Sequence, residues 1–196
     1  TDKIKVLRNR VNRRYGGNQK FGYQYAIDRG FDAVIMLHAD GQYSPEALGP
    51  MLEPIVLNEA DIVFGSRMLE KGEALKGNMP RYKYIGNKIL TWIENKLTGM
   101  SLSEFHSGYR AYSTSFLRQI PLWENSDEWH FDTQILLQGN ECKARFQEIS
   151  IPTYYGDEIC HVNGIGYALN CILTSFLYLL YRKGIFYSRV FDTTIQ

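Results

Sequence analysis

The stretch VIMLHADGQYSPE, residues 34–46, decides how the fold is interpreted. Its first residues, 34–37, are all apolar, as expected for a buried strand, and they lead directly into His38, Asp40 and Gln42. The Ser-Pro-Glu that follows is a strong helix start, because serine is a good N-cap and proline suits the first helical position. The stretch therefore predicts a strand, a polar loop and a helix in succession.

The rest of the chain continues this alternation of strand-like and helix-like segments. Strands are predicted at residues 4–7, 33–37, 61–64 and 144–151, and helices at 18–29, from 44 onward, at 80–97 and at 165–184. Strands that alternate with helices are typical of an α/β fold with a mostly parallel sheet flanked by helices. We predict one domain over residues 1–196.

Composition narrows the function classes. The 196 residues are 44% hydrophobic with a net charge of +1, which suits a globular core and argues against general nucleic-acid binding. The arginines in residues 8–14 are interpreted as a solvated face. Cys142, Cys160 and Cys171 have no disulfide-like spacing, so they predict reduced thiols and a cytoplasmic protein.

Ligands of open α/β sheets bind beyond the carboxyl ends of strands. His38, Asp40 and Gln42 follow such a strand end, and oxygen ligands of this kind suit Mg²⁺ or Mn²⁺ held together with substrate phosphates. The alternative is a simple turn at Asp40-Gly41 with Gln42 directed at water.

A second predicted strand, residues 61–64, ends in a further polar group, Ser66 and Arg67. Arg81 follows Pro80 at the start of the long helix, where the helix N-terminus itself favours an anion. An arginine fork matches phosphate oxygens. Together with a metal these residues predict a diphosphate pocket, and the alternative is that Arg67 and Arg81 form surface salt bridges.

Five motifs in order carry a resemblance to a known family: LHADGQYSPE, ADIVFGSR, MPRYKYIGNKILT, EFHSGYRAYS and WHFDTQIL. They resemble the family 2 glycosyltransferases with the GT-A fold, most closely the branch that includes dolichol-phosphate and polyprenyl-phosphate sugar transferases. The resemblance implies a nucleotide-diphosphate sugar donor, a Mg²⁺ or Mn²⁺ ion, a saccharide or polyprenyl-phosphate acceptor, and inversion at the anomeric carbon.

The metal motif of the family usually reads Asp-Ala-Asp, with Gln two residues later. Asp40 and Gln42 therefore fall on metal-binding positions, and His38 replaces the first acid. In the glycine-rich helix start GGNQKFGY, Arg14 stands where a glycine is common.

The resemblance also assigns the donor and catalytic residues. Arg67, with Ser66 beside it, and Arg81 resemble donor-phosphate contacts. In EFHSGYR, Glu104 stands at the position of a general base, and Gly108 and Arg110 complete the donor-binding motif. The alternative for Glu104 is an ion pair with Arg110. A hydroxyl acceptor would require a base, whereas a lipid phosphate is already ionised.

The carboxyl-terminal region leaves two questions open. The apolar stripe Leu169, Ile172, Phe176 and Leu180 predicts a helix that packs in the core, with an interfacial helix as the alternative that gives peripheral contact with the inner face of the membrane. His161 is a weak further metal candidate.

Three functions are compatible with these patterns. The first is an inverting sugar transferase, the second a non-catalytic module that binds sugar nucleotides, and the third a nucleotidyltransferase that makes them. The family usually begins with a strand ending in Pro-x-Tyr-Asn-Glu, which this sequence lacks, so we expect the sequence to begin at the third strand of the family's sheet.

Overall fold

The structure is a computed structural model that describes residues 4–156 and 163–194. Its elements in chain order are α1 (Arg14–Asp28), β1 (Ala33–Met36), α2 (Leu48–Val56), β2 (Ile62–Ser66), α3 (Glu73–Lys76), α4 (Arg81–Thr98), β3 (Arg110–Ser113), α5 (Thr114–Leu117), α6 (Phe131–Glu141), β4 (Phe146–Ser150) and α7 (Gly164–Arg182). Short 3₁₀ turns at Pro45–Ala47 and Leu122–Glu124 precede α2 and α6. The predicted strands at 33–37, 61–64 and 144–151 and the predicted helices are confirmed, with shifts of a few residues at their ends.

The sheet has the strand order β1-β3-β2-β4. Strand β3 runs antiparallel to both β1 and β2, whereas β2 and β4 are parallel. The α/β class with flanking helices is confirmed. The sheet is mixed, not mostly parallel: three of the four strands share one direction, but β3 separates β1 from β2, so a single pairing is parallel.

This topology brings the predicted polar segments to one edge of the sheet. The carboxyl ends of β1, β2 and β4 meet there with the amino end of β3. The bridge between Tyr43 and Thr153 and the bond from the Tyr154 N–H to the Gln42 carbonyl (3.2 Å) join the loops after β1 and β4 at this edge. The segment before β3, residues 103–109, lies between them.

Two hydrophobic clusters cover the two faces of the sheet. Ile62 and Phe64 belong to a cluster with residues of α1 and α6, whereas Val63 belongs to a cluster with residues of α2. Alternation along β2 sends neighbouring side chains to opposite faces, so helices protect both sides of this strand. Residues 62–64 of the fully buried β2 accordingly form a continuous apolar run rather than an alternating one.

The predicted strand at residues 4–7 is wrong. This segment has no regular secondary structure, and Ile4 and Val6 are 78% and 85% exposed. A strand requires hydrogen bonds to a neighbour, and no strand of the described range pairs with these residues.

Helices α1 and α4 end at the predicted glycines, whereas the first residue of α1 has an unusual conformation. Gly30 and Gly99 adopt positive φ just after α1 and α4, as helix-ending glycines do. Arg14, the first residue of α1, has φ +58°, a conformation that costs an L side chain about 1–2 kcal/mol. The local backbone thus requires what the family usually supplies with glycine at this position.

We expect Arg14→Gly to raise the free energy of unfolding by about 0.5–1 kcal/mol, because it relieves the left-handed strain and loses only an exposed ion pair with Glu128. Arg13→Gly is the matched control, since Arg13 has φ −98° and should gain nothing. Chemical denaturation of the two variants checks this. A loss of stability in Arg14→Gly as large as in Arg13→Gly would contradict the strain.

Candidate donor and metal site

An open cleft of about 640 Å³ lies beside the carboxyl end of β1. Its lining consists of the segment before and at the start of α1, the end of β1 and one aromatic residue: Asn9, Arg10, Val11, Asn12, Arg13, Arg14, Tyr15, Asn18, Gln19, Met36, Leu37, His38, Ala39 and Trp129. The interpretation of the arginines in 8–14 as a mere solvated face is therefore incomplete, because three of them line this cleft.

Aromatic and positively charged groups meet in the cleft. Tyr15 stacks on Trp129 with ring centroids 4.3 Å apart, and its hydroxyl donates to the Asp132 carboxylate at 2.8 Å. Burial, with Asp132 nearby, raises the pKa of Tyr15 well above its ordinary value, so the phenol stays protonated. Exposed Arg10 and Arg13 supply charge at the rim. Such a cleft suits a planar base and phosphates.

The predicted metal residues lie next to this cleft. Asp40 and Gly41 form a turn in which one carboxylate oxygen of Asp40 accepts the Gln42 N–H at 3.0 Å. The second oxygen lies 3.8 Å from Nδ1 of His38, and the Asp40 side chain is 45% exposed. The turn alternative is thus correct for the backbone, yet it still leaves a carboxylate oxygen open. One carboxylate with substrate phosphates is a donor set that suits Mg²⁺ or Mn²⁺.

The role of Gly108 follows from close packing against His38. A Cβ at this position would lie 2.9–3.0 Å from His38 ring atoms and 3.2 Å from the Tyr15 hydroxyl. The Gly108 N–H also donates to the Tyr43 hydroxyl at 3.1 Å. The loop before β3 can therefore approach the metal residues only with glycine here. The structure brings Gly108 and His38 together, and the donor contact of Gly108 stays a prediction.

Glu104 and Arg67 form a buried ion pair at the end of β2. The Glu104 carboxylate, which is fully buried, accepts the backbone N–H of Arg67 at 2.7 Å, its Nε at 3.1 Å and its Nη2 at 2.7 Å. Arg67 Nη1 donates to the Tyr155 hydroxyl at 2.7 Å. Burial alone would lower the pKa of Arg67, but the adjacent carboxylate raises it well above its ordinary value.

This pair changes the interpretation of both residues. The ion-pair alternative for Glu104 holds, but with Arg67 instead of Arg110. Arg67 is 7% exposed and its guanidinium is engaged, so little of it faces solvent. General-base action by Glu104 and phosphate contact by Arg67 remain predictions that this geometry does not favour. Ser66, also fully buried, bonds the hydroxyl of Ser103 at 2.5 Å and holds the same loop.

Arg110 stabilises the loop that precedes β3. Its side chain is fully buried and donates to the carbonyl oxygens of Phe105 (2.5 Å), Ser107 (2.7 Å) and Asp132 (2.9 Å). Arginine is suited to this task because its fixed fork presents several donors. The predicted donor contact by Arg110 has no support in this geometry, since the guanidinium is closed off by backbone oxygens.

Arg81 lies exposed at the amino end of α4. The same first turn of α4 approaches the buried pair, because Lys83 Nζ lies 5.7 Å from the ring centroid of Tyr155, whose hydroxyl accepts from Arg67. The structure thus links the start of α4 to the end of β2 through Tyr155. The phosphate contact of Arg81 remains a prediction, and His161 lies outside the described residues.

The sequence did not predict that Tyr15 and Trp129 form an aromatic pair in the cleft. Tyr15 and Trp129 are far apart in the chain, and they meet because α1 packs near the start of α6. The one available signal was WHFDTQIL, whose Asp132 accepts from both Tyr15 and Gln19. Spacing within a single motif cannot reveal a contact made across 114 positions of sequence.

Comparisons with known proteins identify the family of the chain. The family model described as glycosyl transferase family 2 matches residues 1–120. The chain is 28% identical over 153 residues to a UDP-N-acetylglucosamine–dolichyl-phosphate N-acetylglucosaminyltransferase of Methanococcus voltae, covering 78% of this chain and 60% of that protein. It is 31% identical over 150 residues to an uncharacterized protein of Methanocaldococcus jannaschii, covering 76% of this chain and 61% of that protein.

A third relative, the undecaprenyl-phosphate mannosyltransferase of Micrococcus luteus, is 31% identical over 123 residues, covering 61% of this chain and 47% of that enzyme. The chain thus spans about half to three fifths of the length of these relatives. Two of the three are named for sugar transfer involving a polyprenyl-type phosphate. The mixed α/β sheet and the family match lead to one assignment: the chain belongs to glycosyl transferase family 2.

Proposed function

We propose that the chain binds a nucleotide-diphosphate sugar in the cleft beside β1 and transfers the sugar to a polyprenyl phosphate. The observation that carries this proposal is the cleft itself, which is lined by the stacked Tyr15 and Trp129, by the rim arginines and by His38, with the open oxygen of Asp40 two residues farther along the chain. The aromatic pair suits a nucleotide base, the arginines suit phosphates, and the Asp40 oxygen suits Mg²⁺ or Mn²⁺.

The reaction breaks the bond between the anomeric carbon and the diphosphate oxygen, and an acceptor oxygen forms the new bond from the opposite face. A divalent cation bound at Asp40 would stabilise the negative charge that develops on the leaving diphosphate. Arg10 and Arg13 would add to that stabilisation from the cleft rim. Attack from the opposite face inverts the anomeric carbon, and the nucleoside diphosphate departs.

The state of Glu104 favours a phosphate acceptor over a hydroxyl acceptor. A hydroxyl must lose its proton to a base within hydrogen-bond reach, whereas a phosphate monoester is already ionised. The Glu104 carboxylate is fully buried and accepts several bonds from Arg67. In this arrangement it is poorly placed to take a proton, and an ionised acceptor makes that unnecessary. The names of the relatives support the same acceptor class.

Two neighbouring helices, α4 and α7, supply a surface for a lipid acceptor. They pack on each other, and each carries an exposed apolar stripe at helical spacing. The stripes consist of Tyr82, Ile85, Ile89 and Trp92 on α4 and of Ile165, Leu169, Leu173 and Phe176 on α7. Basic residues accompany them at Lys88, Lys96, Arg182 and Lys183.

The core interpretation of the α7 stripe is therefore wrong for its outer residues. The buried face of α7 holds Cys171, Thr174, Ser175 and Tyr178, while Leu169 and Phe176 are 62% and 45% exposed. By length and composition α7 could also cross a membrane, a test that core helices pass as well. We propose peripheral contact with the inner face of the membrane, with the exposed stripes entering the lipid headgroup region.

We expect Leu169→Ser with Phe176→Ser to release the protein from anionic phospholipid vesicles, while the free energy of unfolding stays within about 1 kcal/mol of the wild type. The matched control is Val56→Ser with Leu57→Ser, because these residues are also exposed, at 74% and 58%, but lie at the end of α2. Vesicle co-sedimentation measures binding. Unchanged binding of the α7 variant, or equal loss in the control, would argue against the membrane surface.

Titration with UDP-, GDP- and dTDP-sugars, with and without Mn²⁺, tests the donor proposal. Binding that requires Mn²⁺ and leads to sugar transfer supports it. Chemistry that depends on pyrophosphate would indicate a nucleotidyltransferase. Binding without turnover in the presence of polyprenyl phosphate would indicate a non-catalytic module, and an absence of binding to any of the donors would contradict the cleft assignment.

A further inference from the structure

A second cluster of ligand-type side chains lies away from the cleft, where α4, α7 and the loop before β3 meet. Glu94 comes from α4, Cys171 from α7 and His106 from the loop. One ligand atom of each residue lies within 4.8 Å of the other two. We propose that these three side chains bind one zinc ion, separate from the Mg²⁺ or Mn²⁺ proposed at Asp40.

The orientation of the two hardest ligands supports this site. Nε2 of His106 and a carboxylate oxygen of Glu94 face each other at 3.1 Å, and the side chains are 4% and 0% exposed. Within the described residues, neither of these two atoms has a hydrogen bond of acceptable geometry. Buried polar atoms are normally satisfied, so two unsatisfied atoms that converge on one point suit a bound cation. A tetrahedral zinc ion holds nitrogen and oxygen ligands at about this separation.

The remaining nitrogen of His106 is held as metal-ligating histidines usually are. Nδ1 lies 3.1 Å from the Tyr167 hydroxyl, which fixes the ring and leaves Nε2 for the metal. Thr133 contacts both other ligands, with its hydroxyl 3.5 Å from Glu94 and 3.5 Å from Cys171 Sγ. Each proposed ligand thus has a neighbour that orients it.

The charge and the chemical softness of the three ligands favour zinc. A thiolate and a carboxylate together neutralise a divalent cation, so the filled site adds no net charge to the interior. Sulfur and imidazole favour zinc over Mg²⁺ and Mn²⁺, which prefer oxygen. The thiol proton of Cys171 would pass to solvent as the Zn–S bond forms.

The site would connect the lipid-facing helices to the catalytic edge. His106 lies two residues from both Glu104 and Gly108, which contact Arg67 and His38. Zinc at this point fixes the loop before β3 to α4 and α7, so its loss should loosen the loop without removing any group from the donor cleft.

Metal analysis of the purified chain, stripped with a chelator and then titrated with zinc, tests the proposal. We expect about one bound zinc per chain in the wild type and a thiolate-to-metal absorption band when Co²⁺ replaces zinc. Cys171→Ser should lower zinc affinity by more than about 100-fold, and Tyr167→Phe by about 10–100-fold. Cys142→Ser is the matched control, because this other described cysteine is half-buried elsewhere and should retain zinc and the band.

Zinc content and the Co²⁺ band of the wild type test the proposal even if a variant fails to fold. Absence of stoichiometric zinc and of the Co²⁺ band in the wild type would overturn the proposal and leave a histidine–carboxylate contact in its place. Retention of both by Cys171→Ser would also overturn it. Asp40→Asn should keep zinc while it loses Mn²⁺-dependent donor binding, so the failure of either site can be recognised separately.

Discussion

Glu104→Gln is expected to lower the free energy of unfolding by about 3–5 kcal/mol, because it leaves the buried Arg67 guanidinium without its counter-charge. The amide keeps the size of the side chain but replaces one accepting oxygen with a donor that faces Nε and Nη2 of Arg67. Urea denaturation with an unchanged m-value would measure the loss.

Two further variants distinguish a structural role of Glu104 from a role as general base. Replacement of both partners by apolar residues, Arg67→Met with Glu104→Leu, should recover much of the stability, since no unpaired charge remains. If Glu104 acts only through Arg67, Glu104→Gln and Arg67→Gln should lower kcat to a similar extent. A loss of kcat about 10²-fold greater in Glu104→Gln would restore the general-base role.

An exposed ion pair provides the stability control. Asp61 and Arg145 lie 2.9 Å apart with side chains 23% and 45% exposed. Asp61→Asn should cost far less than Glu104→Gln, because solvent screens the remaining charge. Equal losses in the two variants, or a negligible loss in Glu104→Gln, would show that the buried pair does not persist in solution.

Asp40→Asn is expected to abolish Mn²⁺-dependent donor binding and to lower the transfer rate by about 10²–10⁴-fold, because it removes the carboxylate that would hold the cation beside the leaving diphosphate. Asp40 is exposed in a turn, so the fold should be unaffected. Isothermal titration with and without Mn²⁺ measures the binding.

Asp32→Asn is the matched control, as Asp32 is an exposed aspartate just before the opposite end of β1. It should leave metal dependence unchanged. His38→Asp should retain activity and shift the preference toward Mg²⁺, since a hard cation prefers oxygen. Unaltered metal dependence in Asp40→Asn would remove the metal assignment of this loop.

The sequence was informative where a signal is local. The apolar run before His38 and the helix-ending Gly30 and Gly99 each depend on neighbouring residues, and each predicted the structure correctly. The glycine preference at position 14 likewise corresponds to a positive φ in the structure. Backbone conformation and hydrophobic period are properties of short segments, so one sequence suffices to reveal them.

The sequence failed where distant segments compete for one partner. Arg67 could serve a phosphate or a carboxylate, and only the fold shows that Glu104 reaches it from 37 positions away. Similarly, Cys171 on the buried face of α7 meets Glu94 and His106, which the local pattern could not show. The strand order, with β3 inserted between β1 and β2, also depends on long-range pairing.

Transfer to a lipid acceptor is tested by following where the sugar goes. The wild-type chain is incubated with a labelled nucleotide-diphosphate sugar, Mn²⁺ and vesicles that contain polyprenyl phosphate, and the label is followed into the lipid fraction. We expect a lipid-linked sugar that disappears with a chelator and in Asp40→Asn. Donor that binds but yields label only on soluble hydroxyl acceptors, or on no acceptor, would contradict it.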